Sequence, residues 1–114
     1  TTAADLDGVS GANRVCVLGD GPVISFMDNR TIYDRELFEL GFIVAKENNI
    51  PAQTKTAVAG GNDAGAIQTS GDGARVMAIS FPTRYIHSGA SVAKASDIDE
   101  TRRLLKALLP KLID

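Results

Sequence analysis

The chain has 114 residues, of which 44% are hydrophobic and 23% charged, the balance of one globular domain. Its 12 basic and 14 acidic residues give a formal net charge of −2, so no basic excess exists to hold a phosphate backbone and nucleic acid is not an expected partner. No apolar run reaches the length of a membrane span, a single cysteine excludes an intrachain disulfide framework and fits a reducing cytoplasm, and aromatics at 5% without tryptophan leave no stacking platform for bases or sugars.

The chain opens on Thr1-Thr2-Ala3-Ala4 with no initiator methionine and no charged and apolar leader, so no secretory signal is expected. Residues 1–12 are small and polar, with Gly8 and Gly11, and read as linker or loop. The β-branched or apolar runs at 14–18 and 23–27 predict two strands, or one strand interrupted by Gly19-Asp20-Gly21-Pro22. Cys16 sits inside Val15-Cys16-Val17-Leu18 and reads as a buried structural thiol.

Asp34 offers an N-cap, and Leu37, Leu40 and Val44 with Phe38, Phe42 and Ile43 follow a helical period. Gly41 weakens that helix and marks a close approach of another backbone. Asn48-Asn49 and Pro51 end it. Alternation over 53–58 predicts a half-buried strand. Asp63 is expected to cap a short helix from about Ala64, and Gly71-Asp72-Gly73 turns the chain into a buried strand over 75–81. Ser91-Val92-Ala93 suits a short edge strand. Ser96 with Asp99 resembles a capping box, after which Ile98, Leu104, Leu105, Leu108 and Leu109 are expected to face a core until Pro110 ends the helix. The order is that of an α/β sandwich.

Two motifs could carry chemistry. His87, the one histidine, closes Pro82-Thr83-Arg84-Tyr85-Ile86-His87-Ser88 just past the last strand, where a ring nitrogen can be presented to a metal on a rigid support; a satisfied polar or surface histidine is the bland alternative. Gly60-Gly61-Asn62-Asp63-Ala64-Gly65 precedes a helix start, where glycines allow close approach of a ligand and free N–H groups favour an anion; a structural turn is equally compatible with it. The pattern is neither a Walker loop nor a dinucleotide fingerprint. Asp34, Glu36, Glu39, Glu47, Asp97, Asp99 and Glu100 are expected to be solvated or to cap helices, and Arg102, Arg103 and Lys106 to form a surface face or a subunit contact. One histidine with no His-x-x-x-His or Cys-x-x-Cys partner cannot by itself complete a metal site.

Four blocks, Leu18-Gly19-Asp20-Gly21-Pro22-Val23-Ile24, Glu47-Asn48-Asn49-Ile50-Pro51, Gly60 to Ile67 and Ile79 to Ser88, resemble in order and spacing the C-terminal third of a metallopeptidase family. That family comprises glutamyl, deblocking and tetrahedral aminopeptidases, some once named endoglucanases. The resemblance covers about Asp7 to the end of the last helix. It implies a partial three-layer α/β sandwich of the zinc-peptidase type, with 1–12 as linker and 13–114 as the C-terminal part of a catalytic domain. It implies a pair of divalent ions, zinc or cobalt, acting on peptide substrates, with His87 as one metal ligand and Gly60, Gly61 and Asp63 at the substrate pocket. The remaining ligands and the general-base glutamate would lie upstream, so the isolated chain is expected to be inactive and to hold no metal stably. Partners would be the missing N-terminal part and further copies of the chain. Asn62 where threonine is common and Gly89 where proline is usual depart from the family pattern near the pocket. Two alternatives stay open: a non-catalytic binding or assembly module derived from the family, and a small anion-binding α/β protein using Gly60-Gly61.

Overall fold

The computed structural model describes residues 1–113. Its elements in chain order are β1 (Val23–Ser25), α1 (Arg35–Glu47), β2 (Gln53–Thr54), α2 (Ala64–Gln68), β3 (Ala78–Ser80) and α3 (Ala95–Leu108), with 3-10 turns at Gly11–Asn13 and Leu109–Leu112. The fold is α/β. The strands form one sheet in the order β2-β1-β3. β1 runs parallel to β2, with Val23 opposite Gln53, and antiparallel to β3, with Ile24 opposite Ile79.

Strand alternation sends neighbouring side chains to opposite faces, and β1 uses both. Ile24 joins Val44, Ala45, Ile50, Leu104 and Leu108 in the main core. Val23 packs with Ala3, Cys16 and Leu18. α1 follows its sequence signals. Asp34 accepts from the Leu37 amide at 3.0 Å, and the helix stops before Asn48 and Asn49, the latter at φ +52°, a left-handed position that asparagine tolerates. The Arg103 guanidinium donates to the carbonyl of Asn48 at 3.1 Å, so one residue of the expected basic patch closes the end of α1. Gly41 does mark a close approach, but to side chains: a Cβ there would lie 3.0 Å from Ile24 Cδ1 and 3.3 Å from Met77 Cε.

Several expectations are corrected. Residues 14–18 form no strand, because several of their backbone groups bond to side chains and a single backbone bond to a distant segment, from the Thr56 amide to the Val15 carbonyl at 3.1 Å, does not make a ladder. Gln53 accepts from the Val17 amide and donates to its carbonyl, both at 2.8 Å, and Asp5 accepts from the Leu18 amide at 2.9 Å. The expected strands at 53–58 and 75–81 shrink to β2 and β3, and that at 91–93 to a single bridge between Arg84 and Val92. In α3, Leu104 and Leu108 are buried, whereas Ile98, Leu105 and, just past the helix, Leu109 are exposed. At about 100° per residue those two groups lie on separate stripes, and only one faces α1 and the sheet. Ser96 caps nothing, since α3 begins at Ala95 after an uncapped Lys94. Asp97 is not solvated but fully buried.

Residues 1–5 belong to the packed body. Thr2 bridges Thr83 in parallel, Ala3 donates to the Thr83 carbonyl at 2.8 Å, and Ala3 and Asp5 are buried.

Candidate functional site

Beyond β3 the chain turns through buried Pro82 and Thr83 into a loop closed by Arg84 and Val92. Each donates its amide to the other's carbonyl, at 2.8 and 3.1 Å. Two residues inside this loop, Tyr85 at φ +60° and His87 at φ +63°, occupy the left-handed region. Histidine visits it more readily than tyrosine, and such positions cost about 1–3 kcal/mol each unless their surroundings impose them. The surroundings are hydroxyls: Ser88 Oγ lies 2.5 Å from the Tyr85 carbonyl and 2.7 Å from that of Ala90, and Ser91 Oγ donates to Tyr85 at 3.2 Å. The loop is therefore wound and pinned, and it turns the exposed His87 toward a cavity.

That cavity measures about 450 Å³ and brings His87 together with Gly60, Gly61, Asn62, Asp28 and Lys55. Two motifs separated in the sequence thus face one space. Asp63 does not line it. Nor does Asp63 cap α2 with its side chain; Asn62 takes that position, its Oδ1 accepting from the Ala64 amide at 2.9 Å. α2 has only five residues, so its dipole gives little support to an anion.

Sequence reasoning missed the group behind the glycines. Buried Asp28 accepts from the amides of Arg30 at 2.8 Å and Thr31 at 2.9 Å, and from the Tyr33 hydroxyl at 2.5 Å. Asn62 donates to that hydroxyl at 2.8 Å, and the Asn29 amide donates to the Gly60 carbonyl at 3.0 Å. Burial raises the Asp28 pKa, but the hydrogen bonds from Tyr33, Arg30 and Thr31 outweigh it and hold the carboxyl below its usual range. Burial and Asp28 push Tyr33 up to about 12. The Asp-Asn-Arg-Thr turn before Tyr33 was the available signal, since aspartate bonds to amides two and three residues on in such turns.

The fit of these residues to a metal is partial. The His87 ring has no hydrogen-bonded protein partner among the described residues, which suits one metal ligand. Asp28 is already held by three donors. Among the described residues no three His, Cys, Asp or Glu side chains group around a common point, so these residues do not by themselves complete a coordination sphere of three or four protein donors.

The model of the M42 glutamyl aminopeptidase family matches residues 1–104. The chain belongs to this family. It is 36% identical over 96 residues to lysyl aminopeptidase of Pyrococcus furiosus, an alignment covering 83% of this chain and 27% of that protein. It superposes on a TET aminopeptidase from a marine sediment archaeon of the Thaumarchaeota with a TM-score of 0.92 and 32% identity, covering 97% of this chain and 31% of that one. The TET1 peptidase of Pyrococcus horikoshii, which can assemble into a tetrahedron or a large octahedral shell, gives a TM-score of 0.73 and 35% identity over 82% of this chain and 27% of that one. The chain therefore spans roughly a quarter to a third of the length of these relatives, and its fold is a part of the aminopeptidase fold. Among the described residues no helix is long and apolar enough to cross a membrane.

Proposed function

We propose that this chain is the C-terminal part of a metal-dependent aminopeptidase that removes the N-terminal residue from peptides. The observation that carries the reading is the shared cavity: His87 and the Gly60-Gly61 turn, the two motifs with chemical promise, line the same space. His87 would be one ligand of a pair of divalent ions, zinc or cobalt. Gly60 and Gly61 would form a wall of the substrate pocket: a Cβ at Gly60 would meet nothing within 4 Å, which leaves room for a peptide backbone to come close, whereas the space beside Gly61 is taken by the Arg30 side chain. Asp63, expected at the same pocket, lies outside its lining. When bound, the ions supply an activated water and polarise the scissile carbonyl; the residues of this chain hold and orient.

The remaining ligands and the general base would come from the part of the protein that precedes Thr1. By itself the 114-residue chain would be inactive. The complete protein would work in the cytoplasm, in keeping with the buried free thiol of this chain, and assemble from several copies, as the Pyrococcus horikoshii relative does.

The test is made on the full-length protein that carries this chain. Its metal content and its hydrolysis of aminoacyl p-nitroanilides are measured beside those of His87→Ala. Metal-dependent turnover in the parent, lost with one ion in the variant, supports the reading. Undiminished turnover and metal content in His87→Ala would remove His87 from the site.

A further inference from the structure

We infer that Arg84, held by the buried carboxylate of Asp5, is the positioning residue that sets His87 for metal binding, with Ser88 as a second brace in the same loop. This rests on the reading of His87 as a metal ligand.

Asp5 anchors the loop. Asp5 shows only 4% of its side chain to solvent, and its Oδ1 accepts from Arg84 Nε at 2.7 Å. Its Oδ2 accepts from the Leu18 amide at 2.9 Å, and its carbonyl accepts from the Arg84 guanidinium at 3.4 Å. One carboxylate thus ties together the opening segment, the approach to β1 and the first residue of the His87 loop. Arg84 is also where the loop closes, through its paired backbone bonds to Val92. Two nitrogens of the guanidinium meet Asp5, a geometry that a single ammonium could not reproduce as well.

Three residues on, His87 has no hydrogen-bonded partner of its own among the described residues. Metal-binding histidines are ordinarily aimed by a second partner on the other ring nitrogen. Here the aim has to come from the backbone, which is left-handed at Tyr85 and at His87. The Arg84 closure and the Ser88 hydroxyl on the Tyr85 carbonyl hold that backbone. Arg84 touches neither ion nor substrate in this role; it acts through His87.

The experiment titrates zinc into the full-length protein against a chromophoric chelator. The variants are Arg84→Met, Arg84→Lys and Ser88→Ala, with Arg75→Met as a control on an exposed ion pair away from the loop. Arg84→Met is expected to weaken binding of the His87-held ion about 10-fold, the low end of the cost of losing a group bonded directly to a ligand, since Arg84 acts at one remove. Lysine should recover part of the loss. Turnover of Arg84→Met should return toward the parent value in excess zinc, which a collapsed fold would not allow. If Arg84→Met does not fold, Ser88→Ala decides, with binding weakened in the same direction. Zinc affinity unchanged in the folded variants, with a parent that binds zinc, overturns the positioning role alone. A parent that binds no divalent ion overturns the His87 reading and this inference with it.

Discussion

The carboxylate of Asp97, in the first turn of α3, accepts a hydrogen bond from the amide of Gly21 at 3.1 Å, and its second oxygen accepts from Gly19 at 2.8 Å. Asp97 has no solvent exposure. It fastens the last helix to the turn that feeds the central strand. Replacing it with alanine strands two amides, each costing about 1–3 kcal/mol when left unpaired in a buried setting. Asp97→Ala should therefore lose about 2–4 kcal/mol, read from urea unfolding with its slope unchanged. Asp97→Asn keeps one acceptor oxygen and should lose less. A loss below about 1 kcal/mol for alanine would show that water reaches those amides.

Gly21 is also constrained by space. Its φ is +79°, and a Cβ there would stand 2.2 Å from the carbonyl oxygen of Pro51. Gly8 has a similar φ, +84°, with nothing within 4 Å. The pair separates conformational cost from collision. Gly8→Ala should cost about 1 kcal/mol, and Gly21→Ala at least about 3 kcal/mol, because backbone atoms must move. Equal melting temperatures for the two variants would count against the fit between the 19–22 turn and Pro51.

Acid should weaken the fold through carboxylates whose partners favour the charged form. Arg75 pairs with Asp34, and with help from the Leu37 amide holds its pKa down at about 2, against an ordinary 3.8. Hydrogen bonding from Arg84 likewise lowers Asp5. A carboxyl whose folded pKa is depressed gives its full support above the unfolded value and loses it as pH falls through the folded one. For Asp34 that window runs from 3.8 down to about 2. A carbon-detected carboxyl titration should place the Asp34 midpoint near 2 and move it upward in Arg75→Met. An unchanged midpoint would mean that Arg75 does not hold this carboxyl.

The first helix, α1, was legible because its signals are local. Asp34 as cap, the 3.6-residue period of 37–44 and Asn48-Asn49 as the stop depend on neighbours a few residues away. The strand at 14–18 misled because β-branched composition reports burial, and burial at Val15–Leu18 is met by loop backbone bonded to Gln53 and Asp5 side chains. Asp97 misled for a related reason. Nothing near it in the sequence announces that two glycine amides, 76 and 78 positions earlier, will converge on it. The histidine and glycine motifs were visible as residue types, but their common cavity depends on β1 lying between β2, which precedes the glycines, and β3, which precedes the histidine. The Asp28–Tyr33–Asn62 group lay hidden because its last member arrives from a distant loop.

The lone cysteine gives a test of how firmly residues 1–5 are docked. Cys16 is buried, its thiol donates to the Thr2 carbonyl at 3.1 Å, and burial pushes its pKa up to about 11 from 9.0. Only the thiolate reacts with disulfide reagents. At pH 8 a pKa of about 11 leaves roughly one thiol in a thousand ionised, about 100-fold fewer than an ordinary cysteine. Labelling by an aromatic disulfide should thus be at least about 100-fold slower in the folded chain than in urea. Thr2 lies over the sulfur and pairs with Thr83, so a chain lacking residues 1–5 should label faster while keeping α1 and α3. Fast labelling of the intact folded chain would mean that the opening segment leaves its place beside Thr83, and the Asp5–Arg84 anchor would open with it.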